Sequence, residues 1–194
     1  MPARPGRPRS EASRQSLINA TLQLMSRKSV RHITISAIAE EAGVAKSTIY
    51  RWWDSKCAIV MDAFFSTMKP CISLQEDGPV TLGLSTQIRE MVELLSGPSG
   101  KVIAEMVGEG QSDPHILEEF RSRIFTQLLE PSRQLIERGK RDGEISEQLQ
   151  TDLVLDMIFG PLYHRLLFGH RELDDAFSES LTSMITIALT PRKS

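Results

Sequence analysis

A short helix, a turn at Gly43 and a second short helix form the feature that most constrains this chain. Thr34 is a suitable N-cap for the first of these helices, which buries three apolar residues and carries two glutamates outward. Gly43 supplies the left-handed conformation that ends it, and Val44 leads into a helix that continues through Trp53. Two short helices joined in this way predict a helix-turn-helix pattern.

The rest of the chain also predicts helices. Apolar residues near the N-terminus follow helical spacing and, with Ser10 as N-cap, indicate a helix over residues 10–27. Ser55 caps another helix that runs to about Lys69. Strand-like alternation is scarce, so we expect an all-α fold with an antiparallel bundle of about five helices in its later part. These helices cover residues 84–95, 101–109, 114–140 with a bend at Pro131, 151–168 and 173–189.

The charges are distributed unevenly along the chain. Residues 1–60 contain 10 lysines and arginines against 4 aspartates and glutamates, whereas residues 61–194 contain 13 against 21. A basic head therefore precedes an acidic body, although the net charge is only −2. This asymmetry favours a polyanion as the partner of the head alone.

Composition argues against several classes of protein. The two cysteines, Cys57 and Cys71, form no CxxC pattern, and the histidines lack metal-ligand spacing. The sequence contains no Gly-rich phosphate cradle and no nucleophile motif. It contains no run of about 18 apolar residues and no signal-like apolar segment after the basic N-terminus. We therefore expect a cytoplasmic protein that is not an enzyme, holds no metal or cofactor and has no membrane partner.

The sequence of the helix after Gly43 predicts one face that packs against neighbouring helices and an opposite, polar face that is free to contact a partner. At about 100° per residue, Ile49 and Trp53 face the neighbouring helices, and we expect Trp53 to pack in the core. A short polar helix of this kind is typical of proteins that enter the major groove, where base edges are distinguishable. The outward face and its borders comprise Lys46, Ser47, Thr48, Tyr50, Arg51 and Trp52.

The segment HITISAIAEEAGVAKSTIYRWWDSKCAIVMDAF resembles the DNA-binding domain of the tetracycline-repressor (TetR) family of transcription regulators. Thr34 opens the second helix as in the family, and Gly43, Tyr50 and Lys56 stand at their family offsets. The acidic helical body is similar to the family's ligand-binding and dimerisation half. The resemblance implies a homodimeric, ligand-responsive regulator, more often a repressor, which a small molecule releases from a pseudo-palindromic operator.

The resemblance also implies roles for individual residues. The positions that match family contacts to bases and adjacent phosphates are Lys46, Ser47 and Thr48. The positions that match contacts to the DNA backbone are Thr34, Tyr50, Trp52 and Lys56. Arg51 is a further candidate because it faces outward. For Lys46, Arg51 and Lys56 the alternative is a solvated face, and Trp52, where the family often has a polar group, either contacts the groove edge or covers the helix junction.

Residues 1–9, with the sequence MPARPGRPR, predict a flexible basic arm. Its Gly-Arg-Pro core resembles the AT-hook, whose arginines follow a narrow minor groove. Arg7 and Arg9 are therefore candidates for minor-groove contact. The alternative is a tail that only adds salt-dependent affinity.

After this arm we expect a helix-turn-helix DNA-binding domain over residues 10–54 and a regulatory domain over residues 55–194. The last two helices, within residues 152–189, match the family's dimerisation helices and are more apolar than one buried stripe requires. Middle-helix residues are candidates to line a pocket for an apolar or amphipathic inducer, although the same spacing also fits a plain core. These candidates are Phe64, Met68, Met91, Met106, Phe120, Phe125, Phe159 and Tyr163.

Two other interpretations are compatible with the sequence. One is a constitutive helix-turn-helix protein with an architectural or interaction role, whose body only dimerises. The other is an all-helical enzyme, which the sequence supports least because it offers no catalytic motif.

Overall fold

A computed structural model of the chain describes residues 11–67 and 78–190, apart from the side chain of residue 124. The chain divides into two compact units, Met1–Met68 and Lys69–Ser194. The boundary lies after Met68 rather than after residue 54, because the helix Lys56–Thr67 packs against the first helix, Glu11–Arg27. The described residues form ten α-helices and no strand, which confirms the all-α prediction.

The first unit is a small bundle around an apolar core. Its helices are α1 (Glu11–Arg27), α2 (Ile35–Glu41), α3 (Lys46–Ile49) and α4 (Lys56–Thr67). Helix α1 packs against α2 and α4, and α2 packs against α3. A 3₁₀ turn, Val30–His32, follows α1, and the predicted N-cap Ser10 lies outside the described residues. Large side chains of the core include Leu17, Ile33, Ile38, Ile49, Ile59 and Met61.

The helix ends of this unit form as their sequence signals predict. The hydroxyl oxygen of Thr34 accepts a hydrogen bond from the Ala37 N–H at 3.1 Å and caps α2. The hydroxyl oxygen of Ser55 accepts one from the Ala58 N–H at 3.0 Å at the start of α4. Gly43 has φ of 65°, a conformation that a residue with a Cβ rarely adopts, and it turns the chain from α2 toward α3.

The α-helical part of the third helix is shorter than the predicted helix through Trp53. Helix α3 ends at Ile49, and the N–H of Trp52 bonds the Ile49 carbonyl at 2.9 Å in an i→i+3 pattern that tightens the chain. The N–H of Trp53 bonds the same carbonyl at 3.0 Å, which is the α-helical spacing. The tightened turn therefore still directs Trp53 into the core, where its side chain is 3% exposed.

The second unit contains six described helices: α5 (Val80–Ser96), α6 (Pro98–Gly110), α7 (Pro114–Phe120), α8 (Thr126–Arg141), α9 (Thr151–Phe168) and α10 (Asp175–Leu189). Helix α5 is the most central of them. Helix α5 packs against α6, α8, α9 and α10, and α8 also packs against α9. The contact between α5 and α8 includes a buried polar pair, in which the Ser132 hydroxyl donates to Oε1 of Gln87 at 2.6 Å.

The predicted helix over residues 114–140 is interrupted, although the interruption is not at Pro131. Pro131 lies inside α8. A π-helical segment, Arg121–Phe125, separates α7 from α8, and the N–H of Thr126 bonds the Arg121 carbonyl five residues earlier. A π turn is a common feature of functional sites and widens the helix locally. Hydrophobic spacing alone gives no signal for it, which explains the continuous prediction.

Candidate DNA-binding face and ligand cavity

The outward-facing residues predicted for α3 and the turn after it, Lys46, Ser47, Tyr50 and Arg51, form a surface that we call the reading face. Lys46, Ser47 and Arg51 are exposed, and Tyr50 is 57% exposed, whereas Ile49 is fully buried. Within residues 11–67 and 78–190, neither Lys46 nor Arg51 has an ion-pair partner. Two uncompensated cations therefore stand beside a serine and a tyrosine on one surface, which suits a helix that approaches phosphates and base edges.

Trp53 fixes the end of this face to the rest of the first unit. Its indole N–H donates to Oδ2 of Asp62 at 2.8 Å, and a guanidinium nitrogen of Arg14 lies 3.1 Å from the same oxygen. The Arg14 guanidinium carbon also lies 5.6 Å from the centroid of the Trp53 ring. Trp53 thus bonds a side chain of α4 and lies beside one of α1, so both helices position the chain that follows α3. The sequence predicted the buried ring but not its polar partners.

Trp52 and Thr48 lie between the buried and exposed faces. Both side chains are half-buried. The centroid of the Trp52 ring is 6.4 Å from that of Trp53, with the planes tilted by 42°. Trp52 therefore lies against the helix junction and keeps part of its surface exposed, so the two interpretations of this residue do not exclude each other.

Thr34 and Lys56 flank the reading helix with groups that suit phosphate oxygens. Thr34 is exposed, and its capping bond uses an oxygen lone pair, so its O–H remains able to donate. The Lys56 ammonium donates to the Val30 carbonyl at 3.2 Å, a contact between residues 26 positions apart that sequence reasoning missed. An ammonium has three donors, so this bond leaves capacity for DNA. Arg7 and Arg9 lie outside the described residues.

A cavity of about 460 Å³ lies within the second unit. It is bounded by α6, α7, the π-helical segment and α9. Its volume falls in the range of small-molecule sites. The lining residues are Val107, Leu117, Phe120, Arg121, Phe125, Asp156, Phe159, Gly160, Tyr163 and Leu167.

Four of the eight predicted pocket residues line this cavity: Phe120, Phe125, Phe159 and Tyr163. Phe64 is buried in the first unit instead, and Met91 and Met106 are buried in the core of the second. Met68 lies outside the described residues. A methionine at helical spacing fits a core as well as a pocket wall, so the pattern could not separate the two.

Sequence reasoning missed six residues of the cavity wall. Three of them could have been found from the sequence. Asp156, Gly160 and Leu167 lie on α9 at helical spacing from Tyr163, so they share its face. No spacing pattern identifies Arg121, because it belongs to the π-helical segment.

The π turn brings two aromatic rings of the cavity together. In a regular α-helix, residues five apart point about 140° away from each other. An i→i+5 turn is wider, so Phe120 and Phe125 share a face, and their ring centroids are 6.4 Å apart. Phe125 in turn lies 5.8 Å from the ring of Tyr163 on α9. Both separations lie within the favourable range for aromatic pairs, so the three rings form one continuous aromatic wall.

The charged groups of the cavity lie at its surface. Arg121 and Asp156 are exposed, and the Arg121 guanidinium pairs with the Glu118 carboxylate. The Tyr163 hydroxyl is buried and has no hydrogen-bond partner among the described residues. Burial raises the pKa of Tyr163, so this hydroxyl keeps its proton at neutral pH.

Helices α9 and α10 expose an unusual number of large apolar side chains. Leu153 and Met157 lie one turn apart on α9, and Met184 and Ile187 lie one turn apart on α10. Ile187 is 75% exposed and Phe168, at the end of α9, is 73% exposed. Apolar residues exposed in this number typically mark an interaction surface.

Two further features are absent from the residues that the structure describes. Residues 11–67 and 78–190 contain no cluster of three or more histidine, cysteine or acidic side chains that could hold a metal ion. Among the helices of those residues, none is both long and apolar enough to cross a membrane.

The fold and these sites together define a helix-turn-helix transcription regulator with a helical regulatory domain. The first unit matches the family described as "Bacterial regulatory proteins, tetR family" over residues 17–62. The second matches the family described as "Tetracyclin repressor-like, C-terminal domain" over residues 74–185. The chain therefore belongs to the TetR family of DNA-binding transcription regulators, as its helix-turn-helix segment predicted.

Relatives and solved structures agree with this membership. The uncharacterized HTH-type transcriptional regulator YdeS of Bacillus subtilis is 34% identical over 181 residues, which cover 93% of this chain and 91% of YdeS. The TetR family regulator SCO0332 has a crystal structure that matches with a TM-score of 0.77, at 25% identity, over 92% of this chain and 99% of SCO0332. The structure of FadR from B. subtilis in complex with stearoyl-CoA matches with a TM-score of 0.69, at 24% identity, over 89% of this chain and 97% of FadR.

Proposed function

We propose that this protein is a homodimeric, ligand-responsive repressor that binds a pseudo-palindromic operator. The observation that most supports this function is the exposed reading face of α3. There Lys46 and Arg51 lack ion-pair partners among the described residues, while Ile49 and Trp53 hold the other side of the segment in the core.

In this proposal α3 enters the major groove. Lys46, Ser47 and Thr48 contact base edges and the nearest phosphates. Arg51 contacts DNA from the same face. The sugar-phosphate backbone is bound by Thr34, Tyr50, Trp52 and Lys56, and the arm carrying Arg7 and Arg9 adds contacts in the minor groove. Phosphate contacts set the register of the protein, and the base contacts specify sequence.

The second copy of the chain binds through α9 and α10. Burial of the exposed side chains of Leu153, Met157, Met184 and Ile187 removes their apolar surface from water. A two-fold dimer presents two reading heads, so its operator repeats in opposite directions at a spacing set by the dimer.

A small molecule in the cavity of the second unit releases the operator. The aromatic wall and the cavity volume support an apolar or amphipathic ligand. The FadR structure, which contains stearoyl-CoA, indicates that a related fold holds a ligand with a long apolar part. The ligand acts by favouring a dimer in which the two heads no longer fit both half-sites together. Since its target is DNA, we place this activity in the cytoplasm.

Selection of bound fragments from a DNA library tests the DNA half of the proposal. We expect an inverted repeat, bound by the wild type and bound at least tenfold more weakly by Lys46→Ala. A compound screen that measures melting temperature and operator release together tests the other half. A constitutive DNA-binding dimer, which no stabilising compound releases from its operator, contradicts ligand-responsive repression.

A further inference from the structure

The residues that line the cavity of the second unit indicate which kind of molecule it can bind. Three of its walls supply aromatic rings, since Phe120 ends α7, Phe125 belongs to the π-helical segment, and Phe159 and Tyr163 lie on α9. Rings arranged at separations of 5.8 and 6.4 Å favour a flat ligand that offers its own faces or edges to them.

Charge on the ligand is disfavoured by the same wall. An ion that leaves water for an apolar site must find a counter-ion there. The two charged lining residues, Arg121 and Asp156, are exposed, and Arg121 is already paired with Glu118. The wall also holds both signs of charge, so it offers no preference for either.

The Tyr163 hydroxyl is the one buried polar side-chain group of the wall. Among the described residues it has no hydrogen-bond partner, and a buried hydroxyl without one lowers stability. A tyrosine hydroxyl is protonated at neutral pH, so the group can donate a hydrogen bond. It is covered in this structure, so a ligand reaches it after a neighbouring side chain shifts, and the ring of Phe125 is one such neighbour.

We infer that the cavity takes an uncharged aromatic molecule with a hydrogen-bond acceptor, such as a carbonyl oxygen, which binds the Tyr163 hydroxyl. This inference rests on the proposed function, because it assumes that the cavity is the ligand site. It adds the ligand class and the residue that selects for it.

Four naphthalene derivatives of similar shape test the inference on the full-length protein. They are 2-acetylnaphthalene, 2-isopropylnaphthalene, 2-naphthoate and 2-naphthyltrimethylammonium, which are respectively a neutral acceptor, a neutral hydrocarbon, an anion and a cation. Dissociation constants are measured by displacement of the fluorescent probe N-phenyl-1-naphthylamine. We expect 2-acetylnaphthalene to bind about tenfold more tightly than 2-isopropylnaphthalene, as a hydrogen bond to a buried donor implies.

The Tyr163→Phe variant tests whether the Tyr163 hydroxyl causes this difference in affinity. It removes only the hydroxyl, so the ketone should lose its advantage over the hydrocarbon, because its carbonyl then leaves water without a partner. The hydrocarbon should bind wild type and variant alike. Far-UV circular dichroism verifies that the variant is folded. The ratio between the two neutral compounds on the wild type tests the acceptor preference even if the variant does not fold.

Each contrary result has a separate meaning. Equal binding of the two neutral compounds to the wild type, or a tenfold ratio that persists in Tyr163→Phe, overturns the inference while the cavity remains a ligand site. Tighter binding of the anion or the cation overturns the uncharged class. Failure of all four compounds to displace the bound probe overturns the inference, whereas failure of the probe itself to bind contradicts the ligand cavity of the proposed function as well. Binding of the ketone in the expected order without operator release supports the inference and contradicts ligand-responsive repression.

Discussion

The indole N–H of Trp53 donates a hydrogen bond to the Asp62 carboxylate at 2.8 Å. Arg14 binds the same carboxylate oxygen at 3.1 Å, so one oxygen links residues of α1 and α4 to the segment after α3. Trp53 follows the reading residues directly in sequence and is 3% exposed. The orientation of the reading face therefore depends on an acidic residue that itself need not touch DNA.

Replacement of Asp62 by alanine should weaken both the fold of the first unit and its DNA binding. The variant leaves the Trp53 N–H buried without this acceptor and removes one of the two carboxylate partners of Arg14, which should lower the free energy of unfolding by about 1–3 kcal/mol. Urea unfolding followed by tryptophan fluorescence measures the change, since both tryptophans of the chain lie in this unit. The control is Glu11→Ala, which removes the exposed partner of Arg14 at 3.4 Å and should change stability by less than about 0.5 kcal/mol. Equal effects of the two variants would contradict a special role for Asp62.

Replacement by alanine should lower the free energy of unfolding much more at Trp53 than at the adjacent Trp52. Trp53→Ala removes a buried ring from the core and should cost about 3–5 kcal/mol of unfolding free energy. Trp52→Ala removes a half-buried ring and should cost less than half as much, because less apolar surface is lost from the interior. The remaining tryptophan reports urea unfolding in each variant. A larger loss in Trp52→Ala would reverse the assigned positions of the two rings.

Local signals predicted much of the first unit correctly. A threonine and a serine cap the helices at the predicted positions, and the glycine of the turn adopts the left-handed conformation that its place after α2 suggested. These features depend on residues within a few positions of each other, so a single sequence contains their cause. The burial of Trp53 followed from helical spacing for a similar reason.

Contacts between distant residues could not be predicted in this way. The bond from Lys56 to the Val30 carbonyl and the bond from Trp53 to Asp62 depend on how the helices pack. Met91 and Met106 share the apolar spacing of the true cavity residues but lie in the core. The position of the π turn at Arg121–Phe125 places two residues in the cavity wall, and no periodic pattern marks it.

Removal of one cation from the reading face should reduce both operator affinity and its dependence on salt. Lys46→Ala and Arg51→Ala should each lower the magnitude of the slope of log K against log salt by about 1, if each neutralises one phosphate. Fluorescence anisotropy with the selected operator at several salt concentrations measures this slope. The control is Lys101→Ala, which removes an exposed cation from α6 in the second unit. Unchanged slopes for both reading-face variants would exclude phosphate contact by these residues.

A charge placed on the exposed apolar surface of α10 should dissociate the dimer. Ile187→Glu introduces a carboxylate that would have to be desolvated at the proposed interface, so the dissociation constant should rise by at least a hundredfold. Analytical ultracentrifugation measures the distribution of monomer and dimer over concentration. The control is Leu82→Glu, because Leu82 is an equally large side chain, 55% exposed, on α5. A dimer lost in the Leu82 variant and retained in the Ile187 variant would move the interface away from α10.

Tyr163 should make the second unit sensitive to alkaline pH in the absence of ligand. The folded state raises the pKa of the hydroxyl, whereas in the unfolded chain it ionises near its ordinary value of about 10. The unfolded state therefore loses this proton first as the pH rises, and the associated stability, fully present below about pH 10, falls above it. Tyr163→Phe removes this dependence and also removes a buried hydroxyl that has no partner among the described residues, so near pH 8 the variant should equal or slightly exceed the wild type in stability. Chemical unfolding of both proteins, followed by far-UV circular dichroism between pH 8 and 11, should give a difference in favour of the variant that widens above pH 10. Curves that stay parallel over this range would mean that folding does not raise the pKa of this hydroxyl. A variant that is less stable than the wild type at pH 8 would mean that the hydroxyl has a hydrogen-bond partner in the folded protein.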